Sequence, residues 1–88
     1  MRRDPEFFED RELELVYIAK RLRDALRLEK ALTGAGIDYA VQTEKYLGGM
    51  IFRSERVGAF FYVDPAAAEP ARKAVSSAGM QPHVEAAG

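Results

Sequence analysis

The fold is decided by two similar stretches of sequence, Leu32–Val41 (LTGAGIDYAV) and Val75–Val84 (VSSAGMQPHV). Both begin with an apolar residue, both carry Ala-Gly near the centre, and both end in valine. Each follows a segment with helical spacing, and its glycine stands where a left-handed residue commonly ends a helix. Each stretch therefore predicts the end of a helix, a glycine turn and the start of a strand.

A strand is predicted before each of these helices. Leu13–Ala19 is rich in branched and aromatic residues, which favour strands. Val57–Val63 is apolar on both faces, as the central strand of a sheet should be. Each half of the chain therefore reads as strand, helix, Ala-Gly and strand.

The helix boundaries follow from capping residues and from proline. The first helix is predicted over Asp24–Ala35, with Asp24 as its N-cap. The second should begin near Ala67 or Ala68, because the ring of Pro70 is tolerated only in the first turn of a helix. Asp64 and Pro65 then form a separate turn before it.

Two strand-helix-strand halves predict an α+β, ferredoxin-like β-α-β-β-α-β sandwich. Its sheet has four antiparallel strands, with both helices on one face. The second strand is Ile37–Gln42 and the fourth is Met80–Glu85, at a sheet edge because Pro82 cannot donate to a ladder. We predict an N-terminal arm over residues 1–12, one domain over 13–85 and a short tail over 86–88.

Composition narrows the class of protein. Eighty-eight residues make one domain, and 48% hydrophobic with 31% charged residues is typical of a globular chain. The absence of cysteine excludes disulfides, thiolate metal sites and cysteine nucleophiles. A net charge of −1 argues against nucleic acid as the main partner, and no apolar run predicts a membrane span. A cytoplasmic protein without a cofactor is expected.

No catalytic or metal-binding motif is present. His83 is the only histidine, and one histidine without a neighbouring cluster makes a poor metal site, so we interpret it as an exposed edge-strand residue. Gly48 and Gly49 lack the Lys-Ser or Lys-Thr of a phosphate loop and indicate the turn of a long hairpin between residues 43 and 56. The sequence therefore favours a binding protein over an enzyme.

Three cations precede the first helix and form the candidate anion site: Lys20, Arg21 and Arg23. The start of a helix exposes amide donors and the positive end of its dipole, which suit an anion. The alternative is a solvated basic face paired with Glu29 and nearby acids.

The strands also predict an apolar surface. If Val16, Ile18, Ala59 and Phe61 face the helices, the alternate residues cover the open face of the sheet. An apolar patch of that kind requires a cover, which could be Phe7 and Phe8 of the arm, the hairpin, or a second copy of the protein. The candidate partner or dimer surface is Tyr17, Tyr46, Leu47, Met50, Phe60 and Tyr62.

One resemblance rests on the end of the first helix, residues 31–39, on Tyr62-Val63-Asp64-Pro65 and on the helix that contains Ala71. Over roughly residues 13–84 the chain resembles a family of small bacterial domains of unknown function that are described as signal-transducing proteins and are similar to PII-like ferredoxin folds. The resemblance implies the fold, and it implies no catalytic residues.

Together these features predict a small regulatory module that binds a small anion or a protein partner and acts as a homodimer. One alternative is a small dimeric enzyme with a site at the subunit interface. Another is a single-stranded RNA binder that stacks bases on the aromatic residues of its central strands. The RNA hypothesis fits poorly, because Arg56–Val63 lacks most of the aromatic pattern of such domains.

Overall fold

A computed structural model describes residues 1–9, 11–48 and 54–83, with the backbone alone for residues 45–48 and 54–56. The regular elements are β1 (Glu14–Ala19), α1 (Leu22–Gly34), β2 (Ala40–Gly48), β3 (Ser54–Val63) and α2 (Ala68–Ser77). Two short 3-10 turns, Pro5–Phe8 and Pro65–Ala67, stand before β1 and before α2.

The strands form an antiparallel sheet in the order β1-β3-β2, and the two helices pack on one of its faces. The α+β architecture is therefore confirmed. Phe61 and Val63 of the central strand are fully buried against Leu28 of α1 and Val75 of α2. Among the residues whose side chains are described, the completely buried large ones are Tyr39, Phe61, Leu28, Leu32, Val16, Val63 and Val75.

The second helix begins where Pro70 allows it to begin. The Asp64 carboxylate accepts a hydrogen bond of 3.0 Å from the Ala66 amide and opens the 3-10 turn. α2 then starts at Ala68, so Pro70 lies in the first turn, where its missing N–H costs no helical hydrogen bond. The predicted separation of turn and helix is confirmed.

The glycine turns are confirmed, whereas the predicted start of α1 is wrong. Gly36 and Gly79 have φ angles of 73° and 83°, the left-handed conformation that follows a helix. α1 begins two residues before Asp24, because the amides of Asp24 and Ala25 both donate to the carbonyl of Arg21. Arg21 is the N-cap and makes no side-chain capping bond.

The strands of the hairpin are longer than predicted. β2 continues to Gly48 and β3 already begins at Ser54, with these two residues paired. Backbone pairing propagates along a hairpin whichever side chains it carries, so composition underestimates the length of such strands. Residues 49–53 lie outside the described part of the chain.

The N-terminal arm is attached to the chain just before β2. The Arg3 amide donates to the Tyr39 carbonyl at 2.7 Å, and the Tyr39 amide donates to the Met1 carbonyl at 3.1 Å. Phe8 is only 2% exposed and lines a cavity with Ile37 and Pro70. The arm therefore seals one end of the helical layer and does not cover the opposite face of the sheet.

The fourth strand stays a prediction. Residues 80–83 have no strand assignment, although the His83 amide donates to the Val16 carbonyl at 2.7 Å. Val84 and Glu85, together with the predicted tail over 86–88, lie outside the described residues.

No helix within the described ranges combines the length and apolarity required to cross a membrane.

Candidate functional site

The outer edge of β1 is shaped by a β-bulge. The pairing with β3 passes from Leu15 directly to Tyr17, so Val16 is an extra residue. In a bulge of this kind two residues oppose one on the partner strand, here Val16 and Tyr17 opposite Phe61. Two successive carbonyls, those of Leu15 and Val16, also point to the outer edge, where Arg72 and His83 donate to them.

The bulge reverses the predicted faces of two residues. Tyr17, expected on the open face of the sheet, pairs with Phe61 and packs against the core. Ile18, expected against the helices, lies opposite Phe60 on the other face. Strict alternation gave the wrong assignment because it assumes that every residue has one partner.

A cavity of about 490 Å³ lies beside this edge, between the start of α1 and the segment 81–83. We name it the basic cleft. Its lining consists of Tyr17, Ile18, Lys20, Arg21, Asp24, Gln81, Pro82 and His83.

The cleft lies where the edge of β1 runs beside residues 81–83. Backbone groups alternate along a strand, so the N–H and C=O of Ile18 point to the same edge as the Val16 carbonyl. Outside the ladder with β3, no backbone group within residues 1–9, 11–48 and 54–83 bonds to them. One donor and one acceptor of the main chain are therefore directed to the cavity.

The side chains make the cleft cationic. Lys20 and Arg21 are exposed and join β1 to α1, and Asp24 is the single acidic residue of the lining. The described part of the chain offers the Arg21 guanidinium no ion pair. α1 begins at this point without a side-chain cap, so its dipole adds to the positive potential. Among the described residues no group of three His, Cys, Asp or Glu could hold a metal ion.

Tyr17 supplies a neutral hydroxyl to the cleft. Burial raises the pKa of Tyr17 above its ordinary value of 10.0, and the negative charge of Asp24 raises it further, whereas Arg27 opposes the shift. The phenol therefore keeps its proton at neutral pH and can donate a hydrogen bond to an anion.

The structure brings together two of the three residues of the predicted anion site. Lys20 and Arg21 line the basic cleft, whereas Arg23 is exposed and lies outside it. Tyr17, predicted as part of a partner surface, instead stands beside these cations.

Sequence reasoning missed the opposite wall of the cleft. Gln81 and His83 line it, and His83 is half-buried, although we interpreted it as an exposed edge residue. The internal repeat of the sequence carried a signal for this wall. It predicts a final strand beside the first strand, and Lys20 and Arg21 come directly after the first strand.

The other candidate surface residues lie elsewhere. Phe60 and Tyr62 are half-buried on the sheet face that points away from the helices, opposite Ile18 and Leu15. The backbones of Tyr46 and Leu47 pair within the hairpin. The side chains of Tyr46 and Leu47 are not described, and Met50 is outside the described residues, so the hairpin surface stays a prediction.

Comparison with protein-family models, with curated proteins and with solved structures finds no match for this chain. The resemblance to small signal-transducing domains therefore stays a prediction, and the function is argued from the geometry of the basic cleft.

Proposed function

We propose that this protein is a small regulatory module that binds an anionic ligand in the basic cleft and acts as a homodimer. Its fold is a ferredoxin-like sandwich in which the segment 81–83 continues into a fourth strand beside β1. The observation that carries the proposal is the cleft itself, which places Lys20 and Arg21 opposite His83.

The charge of the cleft supports an anion as the ligand. The lining carries two cations, Lys20 and Arg21, and a single carboxylate, that of Asp24. The arginine fork and the hydroxyl of Tyr17 provide donors suited to phosphate or carboxylate oxygens.

The size and composition of the cleft favour binding over catalysis. A volume of about 490 Å³ is in the range of small-molecule sites. The lining contains no serine, threonine or cysteine, so it offers no aliphatic hydroxyl or thiol nucleophile beside His83. The cleft has groups that hold and orient an anion, which is the requirement of a sensor.

The open face of the sheet supports the homodimer. Phe60 and Tyr62 lie there beside Leu15 and Ile18 of β1, so the face carries adjacent apolar side chains. Twofold dimers are the commonest homo-oligomers, and an apolar sheet face suits a self-complementary interface.

β1 connects the two surfaces, which is the physical basis for regulation. The backbone edge of Ile18 borders the basic cleft, and its side chain lies on the open face opposite Phe60. A ligand that fixes the edge of β1 therefore changes the position of a residue in the proposed dimer interface, and the coupling is reciprocal.

Phosphate titration followed by NMR tests the anion site. We expect inorganic phosphate to shift the amide signals of Lys20, Arg21 and His83. Arg21→Ala should weaken binding about tenfold or more, because it removes a charge-assisted hydrogen bond. The matched control is Arg23→Ala, two residues away and outside the lining, which should change the affinity less than about twofold.

Equal losses of affinity in the two variants would show that phosphate responds to the general charge of α1 and would contradict a site in the cleft.

Light scattering tests the dimer. Phe60→Asp, which places a charge on the open face, should give a monomer while phosphate binding persists. A monomeric native protein would contradict the homodimer.

A further inference from the structure

We infer that Arg72 is a positioning residue for the basic cleft, an inference that rests on the proposed anion-binding function. Arg72 lies on α2, and its side chain is 19% exposed. It is not part of the cleft lining. Its influence on a bound anion therefore passes through the residues that it holds.

One guanidinium joins two segments that are far apart in sequence. Nη1 of Arg72 lies 2.6 Å from Oε2 of Glu14, and Nη2 donates to the Leu15 carbonyl at 3.4 Å. Nε donates to the His83 carbonyl at 3.1 Å. The first two contacts hold β1, and the third holds the segment that forms the far wall of the cleft.

This wall has few other attachments among the described residues. The His83 amide donates to the Val16 carbonyl, and the Met80 amide donates to the Val75 carbonyl at 3.1 Å. Gln81 and Pro82, which line the cleft, lie between these two anchors. Among the described residues, loss of the Arg72 contact leaves His83 with one backbone bond to β1, so the wall is held less firmly against the strand.

The chemistry requires arginine at this position. Three donors in a rigid plane reach a carboxylate and two carbonyls at once, whereas the single ammonium of lysine has no fixed fork. Arg72→Lys keeps the positive charge and the pairing with Glu14 but loses the bond to His83. This substitution separates positioning from charge.

The experiment measures phosphate affinity together with hydrogen exchange of the His83 amide. The proteins are the native chain, Arg72→Lys, Arg72→Ala and a control, Arg11→Ala, which also removes an arginine paired with a carboxylate but at the other end of the molecule. We expect both Arg72 variants to bind phosphate about tenfold more weakly and to exchange the His83 amide faster. Arg11→Ala should retain the native affinity. In the native protein, saturating phosphate should slow exchange at His83, since coupling between wall and ligand is reciprocal.

Each other outcome overturns the inference in a distinguishable way. If Arg72→Lys binds phosphate like the native protein while exchange at His83 becomes fast, the wall is not required, and the proposed function survives alone. If Arg72→Ala and Arg11→Ala weaken binding equally and Arg72→Lys does not, long-range charge is the cause and positioning is wrong. If the native protein binds no phosphate, the proposed function fails and the inference fails with it. If Arg72→Ala does not fold, Arg72→Lys decides the outcome.

Discussion

Two cavities of similar size lie at the two ends of α1, and they differ in how their charges are satisfied. The basic cleft, of about 490 Å³, lies at the start of the helix. A second cavity of about 410 Å³ lies past its end, and we name it the arm cleft. The arm cleft is lined by Phe7, Phe8, Arg11, Gly36, Ile37, Asp38, Asp64, Ala66, Ala67 and Pro70.

In the arm cleft each charged lining residue has an opposite charge beside it. Arg11 Nη1 is 2.8 Å from Asp64 Oδ2, and Arg3 Nε is 2.9 Å from Asp38 Oδ1. In the basic cleft, the described residues give Arg21 no such partner. Cavity volume alone does not separate a structural junction from a binding site, whereas the pairing of charges does. The arm cleft attaches the N-terminal arm, and the basic cleft is where we propose that a ligand binds.

The largest expected effect is a loss of stability at the arm cleft. Phe8→Ala should lower the free energy of unfolding by about 3 kcal/mol, because it removes a side chain that is 2% exposed. The matched control is Phe7→Ala, at a residue that is 45% exposed, which should cost less than about 1 kcal/mol. Chemical denaturation measures both. Phosphate affinity should stay unchanged in Phe8→Ala, because Phe8 lies outside the basic cleft. A weaker affinity would contradict the separation of the two clefts.

Two glycines at the end of α1, beside the arm cleft, should respond in opposite directions to the same substitution. Gly36→Ala should destabilise the protein by about 1–2 kcal/mol, since Gly36 has a φ of 73° that an L-residue adopts at a cost. Gly34→Ala should stabilise it by about 0.5–1 kcal/mol, because Gly34 is the last residue of α1 and a β-carbon there meets no atom within 4 Å. Thermal unfolding checks the signs. Effects of the same sign at both positions would contradict the left-handed turn.

The ion pair of the arm cleft should matter less than its apolar contact. Arg11→Ala should lower stability by about 0.5 kcal/mol, since the Arg11 side chain is 56% exposed and exposed pairs are weak. The difference should shrink at high salt. Arg21→Ala in the basic cleft, where the described chain offers no partner, should leave stability within about 0.5 kcal/mol of native. A larger cost for Arg21→Ala would show that the basic cleft is itself a structural junction.

The smallest expected effect is a dependence on alkaline pH. Burial raises the pKa of Tyr17, with Asp24 adding to it, and burial likewise raises the pKa of Tyr39, whose hydroxyl donates to Glu29 at 3.2 Å. Because the folded-state pKa lies above the ordinary value of 10.0, each tyrosine contributes to the free energy of unfolding below pH 10. That contribution is lost as pH rises through the folded-state pKa. Denaturation midpoints should fall above pH 10, and less steeply in Tyr17→Phe. An unchanged slope would place the Tyr17 hydroxyl in solvent, away from the cleft wall.

Local signals in the sequence predicted much of the fold. The left-handed Gly36, the start of α2 set by Pro70 and the central position of β3 each depend on neighbours in sequence or on simple apolar pattern. The start of α1 at Leu22 was missed, because the Arg21 carbonyl began the helix before the expected cap at Asp24.

Only one wall of the basic cleft could be predicted from the sequence. Lys20 and Arg21 are adjacent in sequence and lie at the start of a helix, so their pattern is visible. His83 joins them through a backbone bond to Val16 and a side-chain bond from Arg72, contacts that only the folded chain creates. The faces of Tyr17 and Ile18 depend on the bulge, which is a property of the pairing between β1 and β3 and not of either strand alone.

The basic cleft depends on the number of residues in β1, because the bulge requires one extra residue there. Without residue 16, β1 would keep Leu15 on one face and Tyr17 on the other, but the core would lose the fully buried side chain of Val16. The strand would lose the Val16 carbonyl, to which the His83 amide donates. In relatives of this protein, a one-residue gap at position 16 would then separate chains that hold the C-terminal segment from chains that do not. Such a change comes from a single insertion or deletion of one codon, and a survey of amino-acid substitutions would not detect it.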